Sequence, residues 1–373
     1  MSDLQFHVNA EGIMLVPPPW EGVATDSTIP NWRGMEWLHE LGSNTWCTLW
    51  LRWPNVTAYY DGKITLPQGY NLYVVSFHLE VVDKDWLWEQ AKTIDAPIIV
   101  LTESDVYNCP LPENVILYKF FWWHQQIELI KKWHPFTPVP KQLTHQFSAI
   151  CNRITQSKLL VITALLELDT SSILKLATWQ GGDALSECNN EQLSQLRNTF
   201  YNKWYGKTID LPDTHTTFKN HQYYTSNPWT DVYQKCAVHF TNESFHYSHM
   251  EDEFGHYTYP GPFITEKTLK CLVGGTGMIP VGQFETYKAL ETVGFQFNYG
   301  FNTDFDSDKG NISRLVSLVN LITELSTWSI EDLFEATKES SNHNQDHVYS
   351  NKLFDICNAD NLNTINTILD KYR

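Results

Sequence analysis

Thr265-Glu266-Lys267 places a capping hydroxyl, a carboxylate and an ammonium at the start of one predicted helix. Leu269, Leu272 and Val273 recur at i, i+3 and i+4, so that helix has an apolar face. Gly274, Gly275 and Gly277 end it, and Met278-Ile279-Pro280-Val281 reads as a buried strand of a parallel sheet. Unpaired N–H groups and the helix dipole at such a start favour an anion, most often a phosphate. Lys267 adds a point charge for that phosphate, and the Glu266 carboxylate can accept hydrogen bonds from sugar hydroxyls. The pair therefore points to a nucleotide-sugar. Phe263, just before the start, can stack on a ligand or staple the helix entry.

Upstream, Val238-His239-Phe240-Thr241-Asn242-Glu243-Ser244 is strand-like and ends on a carboxylate. This segment, followed by Phe263-Ile264-Thr265-Glu266-Lys267, resembles the donor-site signature of the α-1,3-fucosyltransferase family. It is also similar to phage and giant-virus glycosyltransferases, in which a TEK helix, a strand and an LGF-type segment follow in order. Here the last piece is Glu291-Thr292-Val293-Gly294-Phe295. The likeness covers residues 146–297.

The resemblance implies a GT-B-like α/β fold, two Rossmann-like domains facing across a cleft, and an inverting, metal-independent sugar transfer. It makes Arg153 and then Lys158 contacts of the donor diphosphate, with Glu243, Phe263, Thr265, Glu266 and Lys267 around the donor. The donor is a GDP- or UDP-linked sugar and no other cofactor is implied. The acceptor is a glycan hydroxyl or, by the viral likeness, a hydroxymethylated DNA base. A non-catalytic nucleotide-sugar-binding module in a viral assembly is the reading of another class. Direct displacement needs a general base from the N-terminal domain, at the C-terminal end of a strand. Two loops qualify: His78 and Glu80 follow one predicted strand, and Glu103 and Asp105 follow the next, with Glu80 and Glu103 ranked first and His78 behind them.

Metal chemistry has weaker patterns. His246, His249 and His256 flank Glu251, Asp252 and Glu253, but no cysteine pair completes a zinc set. Asp304, Asp306 and Asp308 imitate a calcium loop, yet the glycine falls late and Leu315 stands where a bidentate glutamate is needed. A solvated loop is expected there. Asp83-Lys84-Asp85 opens a helix and reads as a cap. No metal site is expected.

The elements that must carry these residues alternate. Strands are predicted at 12–16, 46–53, 72–77, 98–101, 115–118, 147–151 and 278–281, with helices at 34–41, 83–94, 122–133, 190–204 and 312–325. Strand–helix alternation gives βαβ units and parallel sheets. Three prolines among residues 135–140 read as a stiff linker. The expected division is 1–134 as an acceptor domain, 135–146 as linker, 147–328 as the nucleotide-sugar domain and 329–373 as a polar helical tail. With 373 residues and 42% hydrophobic content, the chain can fill two cores. A formal charge of −17 disfavours a general nucleic-acid coat or an anionic membrane surface. Seven cysteines without a CxxC pair, and no signal-like or spanning apolar run, place the expectation in a reducing cytoplasm.

Overall fold

The computed structural model describes residues 6–9, 12–15, 46–51, 66, 72–77, 84–101, 111–119, 123, 141–151, 156–168, 171–176, 190–209, 228–243, 249–250, 257–258, 262, 264–350, 352–353, 355–357, 363–364 and 367. The fold is mixed α/β with parallel sheets. The chain divides into one unit of Met1–Leu129 with Phe354–Arg373, and a second of Ile130–Leu353.

The first unit holds β1 (Phe6–Asn9), β2 (Gly12–Leu15), β3 (Trp46–Leu51), β4 (Leu72–Phe77), α1 (Lys84–Thr93), β5 (Ile98–Leu101) and β6 (Val115–Tyr118). Its strands follow one another across the sheet in chain order. β1 and β2 pair antiparallel, and every later pairing is parallel. Ile98, Ile99, Val100 and Tyr118 are fully buried, as a parallel sheet covered on both faces requires. The predicted helix at 34–41 lies outside the described residues, as does that at 122–133 apart from Trp123.

The second unit carries β7 (His145–Cys151), α2 (Gln156–Glu167), β8 (Ser172–Leu176), α3 (Glu191–Thr199), α4 (Pro228–Lys235) and β9 (Cys236–Asn242). A two-residue pairing of β10 (His249–Met250) with β11 (Tyr257–Thr258) follows. Then come α5 (Glu266–Val273), β12 (Gly277–Val281), α6 (Thr286–Glu291), α7 (Asn311–Leu325) and α8 (Ile330–Tyr349). The main sheet runs β12-β9-β7-β8, parallel throughout. Pro280 is tolerated because β12 is an edge strand, where a missing N–H breaks fewer ladder bonds.

That order reverses. From β7 the chain steps to β8 on one side, then crosses back to β9 and β12 on the other. Right-handed crossovers then put the helix after β7 and the helix after β9 on opposite faces. Packing agrees: α2 meets α3 and α7, whereas α5 meets α8. The gap between the C-terminal ends of β7 and β9 is thus a topological switch point.

The N-terminal edge of this sheet is closed by a lysine. Lys141 Nζ donates to Tyr233 O at 2.8 Å, Gly274 O at 2.9 Å and Thr276 Oγ1 at 2.8 Å. The first two are carbonyls at the C-terminal ends of α4 and α5, where the helix dipole favours a cation. Burial lowers this ammonium to about 8, and three acceptors hold it in place. The residues just before β7, read from sequence as linker, are therefore docked on this unit.

α8 opens at Ser329, whose Oγ accepts from Asp332 N–H. It packs on β9, β12 and α5 rather than standing apart as a tail. Its inward face is largely polar between Leu333 and Val348: Asn344 bonds both the N–H and the C=O of Gln296, and His347 Nε2 bonds Val293 O at 2.8 Å. The approach is close, since a Cβ on Gly277 would meet Thr337 at 2.8 Å.

His239 in β9 is buried beside Ser148 in β7, with Ser148 Oγ and His239 Nδ1 2.8 Å apart. Burial holds its imidazole near 3, well below the ordinary 6.5. A depressed histidine leaves the unfolded chain binding more protons below 6.5, so stability is lost as pH falls from 6.5 towards 3. Asp306 runs the opposite way: burial lifts it from 3.8 to about 7, so its contribution weakens as pH rises across that range. Comparing urea stability of the native chain with His239→Leu cancels the Asp306 effect. Between pH 7 and pH 4 the native chain should lose about 3 kcal/mol relative to the variant, at 1.4 kcal/mol per pH unit below 6.5. Parallel profiles would show that His239 is not held neutral.

Candidate functional site at the carboxyl edge of the four-stranded sheet

Three strand ends meet at this edge. β7 leads into α2, β9 ends on Asn242 and Glu243, and β12 leads through Gly282 and Gln283 into α6. The sequence-predicted donor residues that are described fall here.

Glu243 is 1% exposed and its carboxylate is fully engaged. Oε1 accepts from Thr265 N–H at 3.1 Å and from Thr268 Oγ1–H at 2.6 Å. Oε2 accepts from Thr265 Oγ1–H at 2.6 Å. The glutamate at the end of β9 thus caps α5 from another strand, and supplies the anion that its N-terminus favours. The resemblance sets Glu243 around the donor; here its carboxylate is taken up by these three bonds. The side chain holds the helix start against the strand.

Thr265 is the N-cap, as its type and position predict, and its hydroxyl accepts from Lys267 N–H. Lys267 is part-exposed, and its Nζ donates to Thr265 Oγ1 at 2.9 Å. A chain of contacts therefore runs from the buried carboxylate through the capping hydroxyl to the ammonium. Glu266 opens α5 by its backbone; its side chain, like Phe263, lies outside what is described. Leu269, Cys271 and Leu272 anchor the helix in the core, each aliphatic side chain contributing roughly 1.5–3 kcal/mol. Gly275 follows the helix with φ +59°, a left-handed conformation that glycine adopts without strain.

Lys158 lies in the first turn of α2 and is 4% exposed. It therefore sits on the helix that follows β7, across the switch point from α5. Arg153, together with the candidate bases His78, Glu80 and Glu103, lies outside the described residues.

Sequence reasoning passed over Asn242. The residue is 3% exposed and its Nδ2 donates to Ile150 O in β7 at 3.1 Å. It stood inside the quoted strand, but nothing in residue type alone separates such an amide from an ordinary strand-end asparagine.

In the acidic segment expected to be solvated, Asp304 is exposed, but Asp306 forms a built joint. Residues Asp304–Ser307 form one 3-10 turn that buries Phe305 and Asp306. Asp306 accepts from Thr286 N–H at 3.1 Å and Tyr287 N–H at 2.8 Å, capping α6 from 19 to 20 residues away. The physical reason is local: Glu285, at the N-cap position, adopts φ 60° and gives no side-chain cap. Among the described residues, no group of three or more His, Cys, Asp or Glu is placed to hold a metal ion. Of the histidine loop, only His249 and Met250 are described before Tyr257. Cys151, Cys236, Cys271 and Cys357 carry free thiols. Among the described residues no helix is long and apolar enough to cross a membrane.

Comparison with protein-family models, with curated proteins and with solved structures finds no match for this chain.

Proposed function

We propose that the protein is a glycosyltransferase that binds a nucleotide-sugar at the carboxyl edge of the β12-β9-β7-β8 sheet and transfers its sugar to an acceptor hydroxyl. One observation carries the reading. On either side of the sheet's switch point stands a helix whose first turn bears a lysine, Lys158 on α2 and Lys267 on α5. Two ammonium groups and the first turn of α2 suit a diphosphate, which carries its charge at the centre of a nucleotide-sugar. The anchored Glu243–Thr265–Lys267 chain keeps one of those cations in register with the strand end.

In this reading the diphosphate is the leaving group. Fixed positive charge beside it stabilises the charge that develops as the glycosidic bond breaks. The same electrostatics make the transfer independent of a metal ion. The base that deprotonates the acceptor comes from the first unit, with Glu80, Glu103 and His78 as its candidates. The full arrangement is the GT-B-like pairing of two Rossmann-like domains that the motif series implies. The −17 charge favours a glycan over DNA as acceptor.

A thermal-shift panel of UDP-, GDP-, CMP- and dTDP-sugars tests the reading. One class of donor should raise the unfolding midpoint, because a ligand at 100 times its Kd stabilises by about 2.7 kcal/mol. No shift with any nucleotide-sugar or nucleoside diphosphate at millimolar concentration would overturn it.

A further inference from the structure

β7 and β9 share a parallel ladder that runs as far as Ala149 with Phe240. Beyond that pair the strands are tied by a side chain, the Asn242 amide, whose Nδ2 donates to Ile150 O. The orientation of the amide is fixed by that bond, since turning it would set an oxygen against a carbonyl. Among the described residues, Asn242 Oδ1 is then left buried with no hydrogen-bond partner. Buried polar atoms are nearly always paired, so an open acceptor at a sheet edge that takes ligands suits a donor from a bound molecule. It lies where β7 and β9 part at the switch point, the place at which open parallel sheets take their ligands.

We propose that Asn242 is a ligand-binding residue and that its Oδ1 accepts a hydrogen bond from a hydroxyl on a sugar bonded to the diphosphate. This rests on the nucleotide-sugar reading above. The chemistry selects the hydroxyl. An ionised diphosphate offers no donor to an amide oxygen, and the groups bonded directly to it are sugars. A diphosphate beside the first turn of α2, near Lys158, sets an attached sugar ring against the end of β7, where the Asn242 amide is tied. Two rings meet that description, the ribose and the transferred sugar, and both present the same O–H donor.

Isothermal titration distinguishes them. The ligands are UDP, GDP, UDP-glucose and GDP-fucose, titrated into the full chain and into Asn242→Ala. Where the native chain binds, the variant should bind about tenfold or more weakly, the usual effect of losing a buried hydrogen bond. Equal losses with diphosphate and conjugate assign the ribose; a loss with the conjugate alone assigns the transferred sugar. In the unaltered chain, analogues lacking one ribose or one sugar hydroxyl provide the same test without relying on the variant's folding. One analogue should bind about tenfold more weakly. Undiminished affinity in Asn242→Ala, or equal binding of every analogue, overturns the assignment while leaving the nucleotide-sugar reading in place. Absence of any binding by the native chain overturns the reading beneath it.

Discussion

Replacing Glu243 by alanine should lower the stability of the Ile130–Leu353 unit by about 3–5 kcal/mol, the largest stability effect expected of a polar substitution at this edge. The carboxylate is buried and receives three hydrogen bonds, from Thr265 N–H, Thr265 Oγ1–H and Thr268 Oγ1–H. Alanine strands all three donors away from water, and each buried unpaired donor costs about 1–3 kcal/mol. The two hydroxyls can turn to other acceptors, so the sum falls short of three full penalties. The backbone N–H cannot turn. Glu243→Gln is the informative companion: its amide oxygen still accepts the two bonds now made by Oε1, while its NH2 faces the Thr265 hydroxyl. A loss of about 1–2 kcal/mol is expected there, the scale of a single altered bond. Urea unfolding measures both. An alanine variant within 1 kcal/mol of the native chain would show that the strand-end carboxylate does not cap α5.

On the proposed reading, Lys267→Ala reduces the rate of sugar transfer by about 10²–10³ and leaves the fold intact. The two effects separate because Lys267 is part-exposed, with a hydrogen bond to Thr265 Oγ1, and is not packed in the core. Loss of a part-buried side-chain hydrogen bond costs about 0.5–1.5 kcal/mol of stability. Loss of one charge at a leaving diphosphate is felt mainly in the transition state, where negative charge grows on the bridging oxygen. Lys267→Arg retains the charge but spreads it over a planar fork, so it should recover part of the rate. Steady-state rates with the donor identified by thermal shift decide the matter. An unaltered rate in Lys267→Ala removes the residue from the assigned role.

The elements that were legible in the sequence have a single dominant signal. β4, β5 and β12 are short apolar runs; Thr265 and Asn190 are capping types at helix starts, and both serve as N-caps. Elements with mixed signals escaped notice. α4 starts at Pro228 and runs straight into β9 at Cys236, with no glycine or loop between helix and strand. β8, SILKL, is a five-residue strand containing a lysine. α8 was legible as a helix from Ser329, but between Leu333 and Val348 its buried residues are Thr337, Ser340, Ser341, Asn344 and His347, so apolar periodicity gave little hint of burial.

The candidate site divides along the same line. Local spacing was enough to find the capped start of α5 with its lysine. What the Glu243 carboxylate does depends on a partner 22 to 25 residues away, and Asp306 depends on one 19 to 20 residues away. Neither pairing has a local sequence signature. The strand-order reversal between β7 and β9 likewise belongs to the sheet as a whole.

Amide hydrogen exchange, with and without the nucleoside diphosphate found to bind, tests the central claim most directly because it reports where the ligand sits. The account predicts slowed exchange in the first turns of α2 and α5, around Lys158 and Thr265–Thr268, and little change in β1–β6. Binding accompanied by protection elsewhere, with both helix starts exchanging as before, would contradict it.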